Sequence, residues 1–285
     1  MFLALASAPA LPAAGPSVLL AAAYRRLDAA CPALDVTPVE PSTVPGQGWF
    51  DGAELACRED FLNAWLERHV RQIRVREAHE PRPDVVASRA LHGYLWTAAV
   101  LHAGPWYLQR RVPRLRPRDL RLSRTGEAYQ VVPAAFACLP DDPAAGRPGV
   151  RVLPGVEALR AELRAAVADH VRPLLAAMGP RLRRGPRALW GMVGDDLVSA
   201  LWYLGRMHGD EARGVQEAEA VLPRALAPYP GGAAFRRLVT RDGREHPTRT
   251  RLGCCLYYAI RPAEACATCP RTDDAERVRR IEEGC

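Results

Sequence analysis

The sequence contains no lysine; all 39 basic side chains are arginine. That absence excludes a phosphate-loop lysine, a Schiff-base lysine and a lysine general base. A glycine-rich phosphate loop, a dinucleotide fingerprint and a Ser/His/Asp nucleophile signature are missing as well. No run of about 18 apolar residues is free of Pro, Gly or charge, so no membrane-spanning helix is expected. The first 24 residues carry no charged side chain, and Ala6-Ser7-Ala8 could stand for a cleavage box. They have no basic start, however, and Pro9, Pro12, Gly15 and Pro16 break any continuous apolar stretch. The expected location is therefore the cytoplasm.

The chain has 285 residues, of which 48% are hydrophobic and 25% charged, enough for a substantial buried core. Its net charge of +7 suits an acidic partner but says nothing about fold. Arg110 to Arg124 holds seven arginines in fifteen residues and reads as a mostly exposed connection.

Residues 1–24 form an Ala/Pro-rich lead, and residues 35–50 read as a connecting loop. Asp51 with Glu54 three residues later has the pattern of an N-cap and its reciprocal acid. Leu62, Leu66, Val70 and Ile73 then recur at helical spacing to about residue 78. A second helix is expected from Val86 to Ala103, apolar over most of its surface and stopped by Gly104-Pro105. Leu120–Ser123 and Ala128–Val132 flank Thr125-Gly126 as a hairpin, and residues 140–155 read as a loop. Further helices are expected from Val156 to a stop at Gly179-Pro180 and over 187–206. Phe235–Thr240 and a return arm through Thr248–Leu252 enclose an Asp242-Gly243 turn, and a charged helix spans Asp273–Glu283. The fold class is α+β: mainly helical, with short β-hairpins and a small cysteine-rich C-terminal module. The expected division is 1–245 and 246–285.

Five of the eight cysteines fall in the last 32 residues. In a chain of this length without a credible export signal, such a grouping reads as metal binding before disulfides. Cys254, Cys255, Cys266 and Cys269 have the spacing C-C-x10-C-x2-C. Soft sulfur donors select zinc or iron–sulfur centres. Cys266 and Cys269 suit a zinc knuckle, whereas the adjacent Cys254 and Cys255 would point to opposite faces of a strand. A turn must therefore gather them, and Gly253 could supply its freedom. Chemistry alone leaves zinc and iron–sulfur open.

The segment resembles the FhuF family of ferric-siderophore reductases. The family pattern, Arg-x-x-Cys-Cys-Leu-x-Tyr followed after ten residues by Cys-x-x-Cys-Pro, is matched by Arg251, Cys254, Cys255, Leu256, Tyr258, Cys266, Cys269 and Pro270. Ala259 stands where the family often has Arg, and Leu252-Gly253 replaces a more polar pair. These departures touch the surroundings of the sulfurs and not the ligands. The resemblance implies a [2Fe–2S] cluster held by Cys254, Cys255, Cys266 and Cys269. It also implies one-electron reduction of an imported ferric siderophore of hydroxamate type, with a ferredoxin-like donor. It leaves room for peripheral contact with a membrane and gives no role to nucleic acid. The siderophore-binding residues are not named by the sequence.

Two alternatives come from other classes: a structural zinc-binding or scaffold protein, and an iron–sulfur transcription regulator whose only support is the arginine run. Cys31, Cys57 and Cys138 read as small core hydrophobes, and Cys285 as a mobile terminal residue outside the ligand set. Tyr257 and Tyr258 either cover the sulfurs or pack at the rim. His92, His102, His170, His208 and His246 read as ordinary structural or surface residues. Asp195-Asp196 is not expected to act as a pair, because adjacent helical positions diverge.

Overall fold

The computed structural model describes residues 15–31, 34–125, 128–261 and 265–284. Its centre is a long helix that the apolar run after Pro83 builds, α4 (Pro83–Gln109), with nineteen buried residues. Around it pack α1 (Pro16–Ala30), α3 (Glu59–Glu77), α5 (Val156–Leu182) and α6 (Pro186–Met207), and α7 (Glu211–Val221) lies against α6. A helix buried on nearly all sides needs apolar residues all round, and α4 supplies them. The α+β class holds, with eight helices among the described residues.

Short strands line the helical body. A four-stranded sheet has the order β1 (Val36–Pro38), β5 (Tyr129–Val131), β4 (Leu120–Ser123), β2 (Trp49–Asp51). A three-stranded sheet joins β3 (Val112–Pro113), β6 (Phe136–Cys138) and β7 (Val150–Val152). The β8 (Arg236–Val239) and β9 (Glu245–Thr248) hairpin leads to the cysteines, and α8 (Asp274–Glu282) follows them. Asp51 caps α2 (Gly52–Cys57) with the expected reciprocal box: its carboxylate accepts from Ala53 and Glu54, and Glu54 accepts from the Asp51 N–H.

Several sequence expectations are corrected. Residues 16–24 lie in α1, residues 35–50 contribute β1 and part of β2, and residues 150–152 form β7. Gly104-Pro105 does not stop α4, and Gly179-Pro180 does not stop α5. Proline inside a helix costs about 3 kcal/mol, but the turn after Pro105 buries Trp106 and Tyr107, and aromatic burial of that size offsets it. A methyl on Gly104 would stand 2.7 Å from the Leu27 side chain of α1, so this glycine serves helix contact. Both helices end on an arginine in the left-handed region, Arg110 and Arg183. β4 and β5 pair as expected, while Gly126 in their connection lies outside the described residues.

The arginine run is not a mostly exposed connection. It contains β3 and β4, and Arg111 and Arg121 are buried. Arg111 forms a bidentate pair with Asp142 at 2.8 and 2.9 Å, and Arg121 donates to the Thr43 carbonyl. Arg114, Arg116, Arg118 and Arg124 are its exposed members. Cys31 and Cys138 are buried as expected, but Cys57 is exposed at the end of α2. Cys285 lies outside the described residues. No helix among the described residues is long and apolar enough to cross a membrane.

Candidate metal centre

β9 delivers the chain to Arg249 and Arg251, two arginines almost wholly buried. Each meets one of the adjacent aspartates of α6. Arg249 donates to Asp195 at 2.5 Å, and Arg251 donates to Asp196 at 2.6 Å. The second oxygen of Asp195 accepts the backbone N–H of Gly253 at 2.6 Å, and that of Asp196 meets His92 of α4 at 3.0 Å. Burial alone would push Asp196 up; His92 and Arg251 outweigh it and hold the carboxyl below its usual range. The diverging directions of adjacent helical side chains, which argued against a joint role, let the two carboxylates grip different points of one incoming strand. The sequence signal was two acids inside an otherwise apolar helix face.

Gly253 does not supply a left-handed turn. Its role is close approach: a Cβ there would stand 2.6 Å from Met192 Cγ and 2.9 Å from the Met192 nitrogen. The left-handed residue is Leu256, at φ 60°. This reversal directly after the cysteine pair brings the Leu256 N–H to 3.4 Å from the Cys254 sulfur. Arg184 donates to the Cys254 carbonyl at 2.5 Å and so holds the pair from the α5–α6 side.

The second pair sits on a tight turn. The Cys269 N–H donates to the Cys266 carbonyl at 2.9 Å, and the Arg251 N–H donates to Thr268 at 3.0 Å. Arg277 of α8 donates to the Cys269 carbonyl at 2.9 Å, and Arg280 donates to the Ala265 carbonyl at 2.6 Å. Asp273 fixes the start of α8 by accepting the Glu276 N–H at 2.8 Å.

All four cysteines line one small pocket, together with Tyr257 and Tyr258. Cys255 and Cys269 are buried, while Cys254 and Cys266 are partly covered. Cys255 and Cys266 share a hydrogen bond that eases ionisation of the Cys255 thiol, down to about 4, and pushes Cys266 up. Arg89 and His92 also favour the Cys255 thiolate. Burial pushes the Cys254 thiol up. Arg89 lies over the Tyr257 ring at 4.9 Å, and Arg271 over Tyr258 at 4.3 Å, so both tyrosines are fixed at the rim.

The metal donors lining this pocket are sulfur alone, with no imidazole or carboxylate among them. Among the described residues no group of three or more His, Cys, Asp or Glu is arranged to hold a single metal ion. Four thiols spread around a shared space, with a backbone N–H on one sulfur and arginines behind, fit an anionic sulfur-ligated cluster.

A family model described as the FhuF 2Fe-2S C-terminal domain matches residues 251–271. The match begins at Arg251, ends at Arg271, and contains all four pocket cysteines. No curated protein matches the chain. The cofactor of this segment is a [2Fe–2S] cluster.

Proposed function

We propose that this chain is a cytoplasmic ferric-siderophore reductase, with residues 246–285 as its cluster-binding module and residues 1–245 as the supporting domain. The observation that carries this reading is the FhuF-type match, over a pocket in which every metal donor is a cysteine sulfur. Cys254, Cys255, Cys266 and Cys269 would hold the cluster. When bound, a [2Fe–2S] cluster supplies one-electron storage and transfer.

The chain's own residues set the conditions for that chemistry. Arg251, Arg89 and Arg184 bring positive charge to an anionic centre, and the Leu256 N–H offers a hydrogen bond to sulfur. Tyr257 and Tyr258 stand at the rim of the pocket, held there by Arg89 and Arg271. The substrate is Fe(III) in a siderophore, of the hydroxamate type that the family resemblance implies. Fe(III) is a hard cation matched to such oxygen donors, and Fe(II) is held far more weakly, so gain of one electron releases the metal while the chelator survives. The electron comes from a ferredoxin-like donor, whose acidic surface the exposed Arg114, Arg118 and Arg124 are free to meet by charge, Arg116 being paired with Asp119.

The test is reduction of a ferric trihydroxamate by anaerobically purified protein with a one-electron donor, the Fe(II) being trapped by a ferrous-specific chelator. Ferrous release that requires the protein supports the reading. Colourless protein containing zinc and no sulfide would replace it with the structural-zinc alternative.

A further inference from the structure

A second cavity, of about 630 Å³, lies on the other side of the Cys266 turn. It falls within the size range of small-molecule sites, roughly 300–1,000 Å³. Its walls come from four places that the fold brings together: the end of α6 with Trp202 and Arg206, Glu211 at the start of α7, β9 with His246, and α8. The fifth wall is the cysteine turn itself, through Ala265 and Ala267, the two neighbours of Cys266. A molecule seated here therefore stands directly beside the proposed ligand Cys266.

The lining carries four arginines, Arg206, Arg277, Arg279 and Arg280, and two carboxylates, Glu211 and Glu283. Three of the arginines are already paired: Arg277 with Asp274, Arg279 with Glu276 and Glu283, and Arg280 with Glu276. Arg277 and Arg280 are held in place by the carbonyls of Cys269 and Ala265, so they are positioned by the same turn that carries the sulfurs. Arg206 reaches Glu211 only at 4.0 Å, beyond hydrogen-bond range, which leaves its planar fork open to another carboxylate. The Nε–H of buried Arg277 and Nε2 of His246 have no hydrogen-bond partner among the described residues. Trp202 supplies an apolar wall, its indole N–H already donated to Glu211 at 2.8 Å. A chamber with one aromatic side, the open guanidinium of Arg206 and two unpartnered nitrogens in its wall suits an anion that also has an apolar body.

We propose that this cavity is the chelate-binding site, and that it takes a ferric hydroxamate complex carrying a free carboxylate in preference to one without. The assignment rests on the reductase reading for its purpose, but binding can be measured without electron transfer. Gallium(III) matches Fe(III) in charge and coordination and is not reduced. The probes are the gallium complexes of a citrate-derived dihydroxamate whose arms carry further carboxylates outside the metal's coordination shell, which is anionic, and of a neutral cyclic trihydroxamate. Each is titrated calorimetrically into the cluster-loaded protein.

The anionic complex should bind at least about ten-fold more tightly, with an affinity that falls as salt is raised. Arg206→Gln should lower that affinity about ten-fold and leave the neutral complex unchanged. Because Arg206 is largely exposed, this variant should keep the visible spectrum of the native protein. Equal affinity for the two complexes, no binding of either, or an Arg206→Gln affinity equal to that of the native protein would each overturn the assignment. The ferric forms of the same complexes separate the two readings. Reduction of both without preference would retain the reductase and remove this site, whereas selective gallium binding with no ferric reduction would retain the site and remove the reductase.

Discussion

The helical body and the cysteine region are held by different forces. The main apolar core runs from Leu20 to Ala233, and no residue after 245 belongs to it among the described residues. The cysteine region joins a small satellite core through Ile260, with Ile73, Val85 and Val86, and Leu256 and Ala259 pack against it. What fastens it is arginine: Arg249 and Arg251 to the α6 aspartates, Arg184 to the Cys254 carbonyl, Arg277 and Arg280 to the turn, and Arg261 to Glu77. Apolar contact is tolerant of direction, whereas a guanidinium fork fixes both distance and angle. The body thus supplies stability, and the arginine frame supplies geometry where four sulfurs must be placed.

The sharpest way to break this comparison is to remove a sulfur. Cys266→Ser or Cys269→Ser should abolish the visible cluster absorption, because a hard alkoxide is a poor substitute for thiolate on iron. Far-UV circular dichroism should remain close to native, since the core lies elsewhere. Loss of helical signal in step with the cluster would mean that body and module are one cooperative unit.

The next test strikes the frame. Arg249→Met preserves much of the side-chain volume but leaves Asp195 buried without its charge partner, and such a change costs about 3–5 kcal/mol. Urea unfolding should show that loss, with early hydrogen exchange at Gly253, whose N–H Asp195 accepts. A variant within about 1 kcal/mol of native would show that the frame is not the fastening described here.

Acid should expose a weakness of the body instead. His102 and His170 are fully buried on α4 and α5, and desolvation lowers them to about 3 and about 4. His170 meets the Leu115 carbonyl through Nδ1 and the Tyr94 hydroxyl through Nε2, an arrangement for a neutral ring. In the unfolded chain both rings titrate near 6.5. As pH falls below about 6.5 the unfolded state therefore binds protons that the folded state refuses, and stability declines until the folded values are reached. The expected loss is roughly 2 kcal/mol per ring between pH 7 and pH 5, an order-of-magnitude figure. Urea midpoints that stay level over that interval would place the rings in contact with water or with an unseen anion.

The legibility of the sequence follows the same divide. The helical spacing of Leu62, Val70 and Ile73, the Asp51–Glu54 cap and the C-C-x10-C-x2-C spacing are local patterns, and each carries its meaning within a few residues. Helix ends were less legible, because Trp106 and Leu182 extend α4 and α5 past prolines by burial that only the tertiary fold creates. The helix α7 was not anticipated at all. The arginine frame was invisible for a simpler reason: Asp195 and Arg249 are 54 residues apart, and one arginine reads like the other 38 until its partner is known.

The smallest expected effect makes that last point quantitative. Arg82 pairs with Asp84 through two hydrogen bonds of 3.2 Å, so by composition and contact it resembles the Arg249–Asp195 pair. Its side chain is 67% exposed against 1% for Arg249. Water already solvates both ions at the α4 N-terminus, so the pair gains little from Coulomb attraction, and truncation strands no buried charge. Arg82→Ala should therefore change stability by no more than about 0.5 kcal/mol, and the change should shrink further at high salt. Measured beside Arg249→Met by the same urea titration, the two variants isolate burial as the difference. A loss at Arg82 comparable to that at Arg249 would show that guanidinium–carboxylate contact itself, and not its removal from water, fastens this protein.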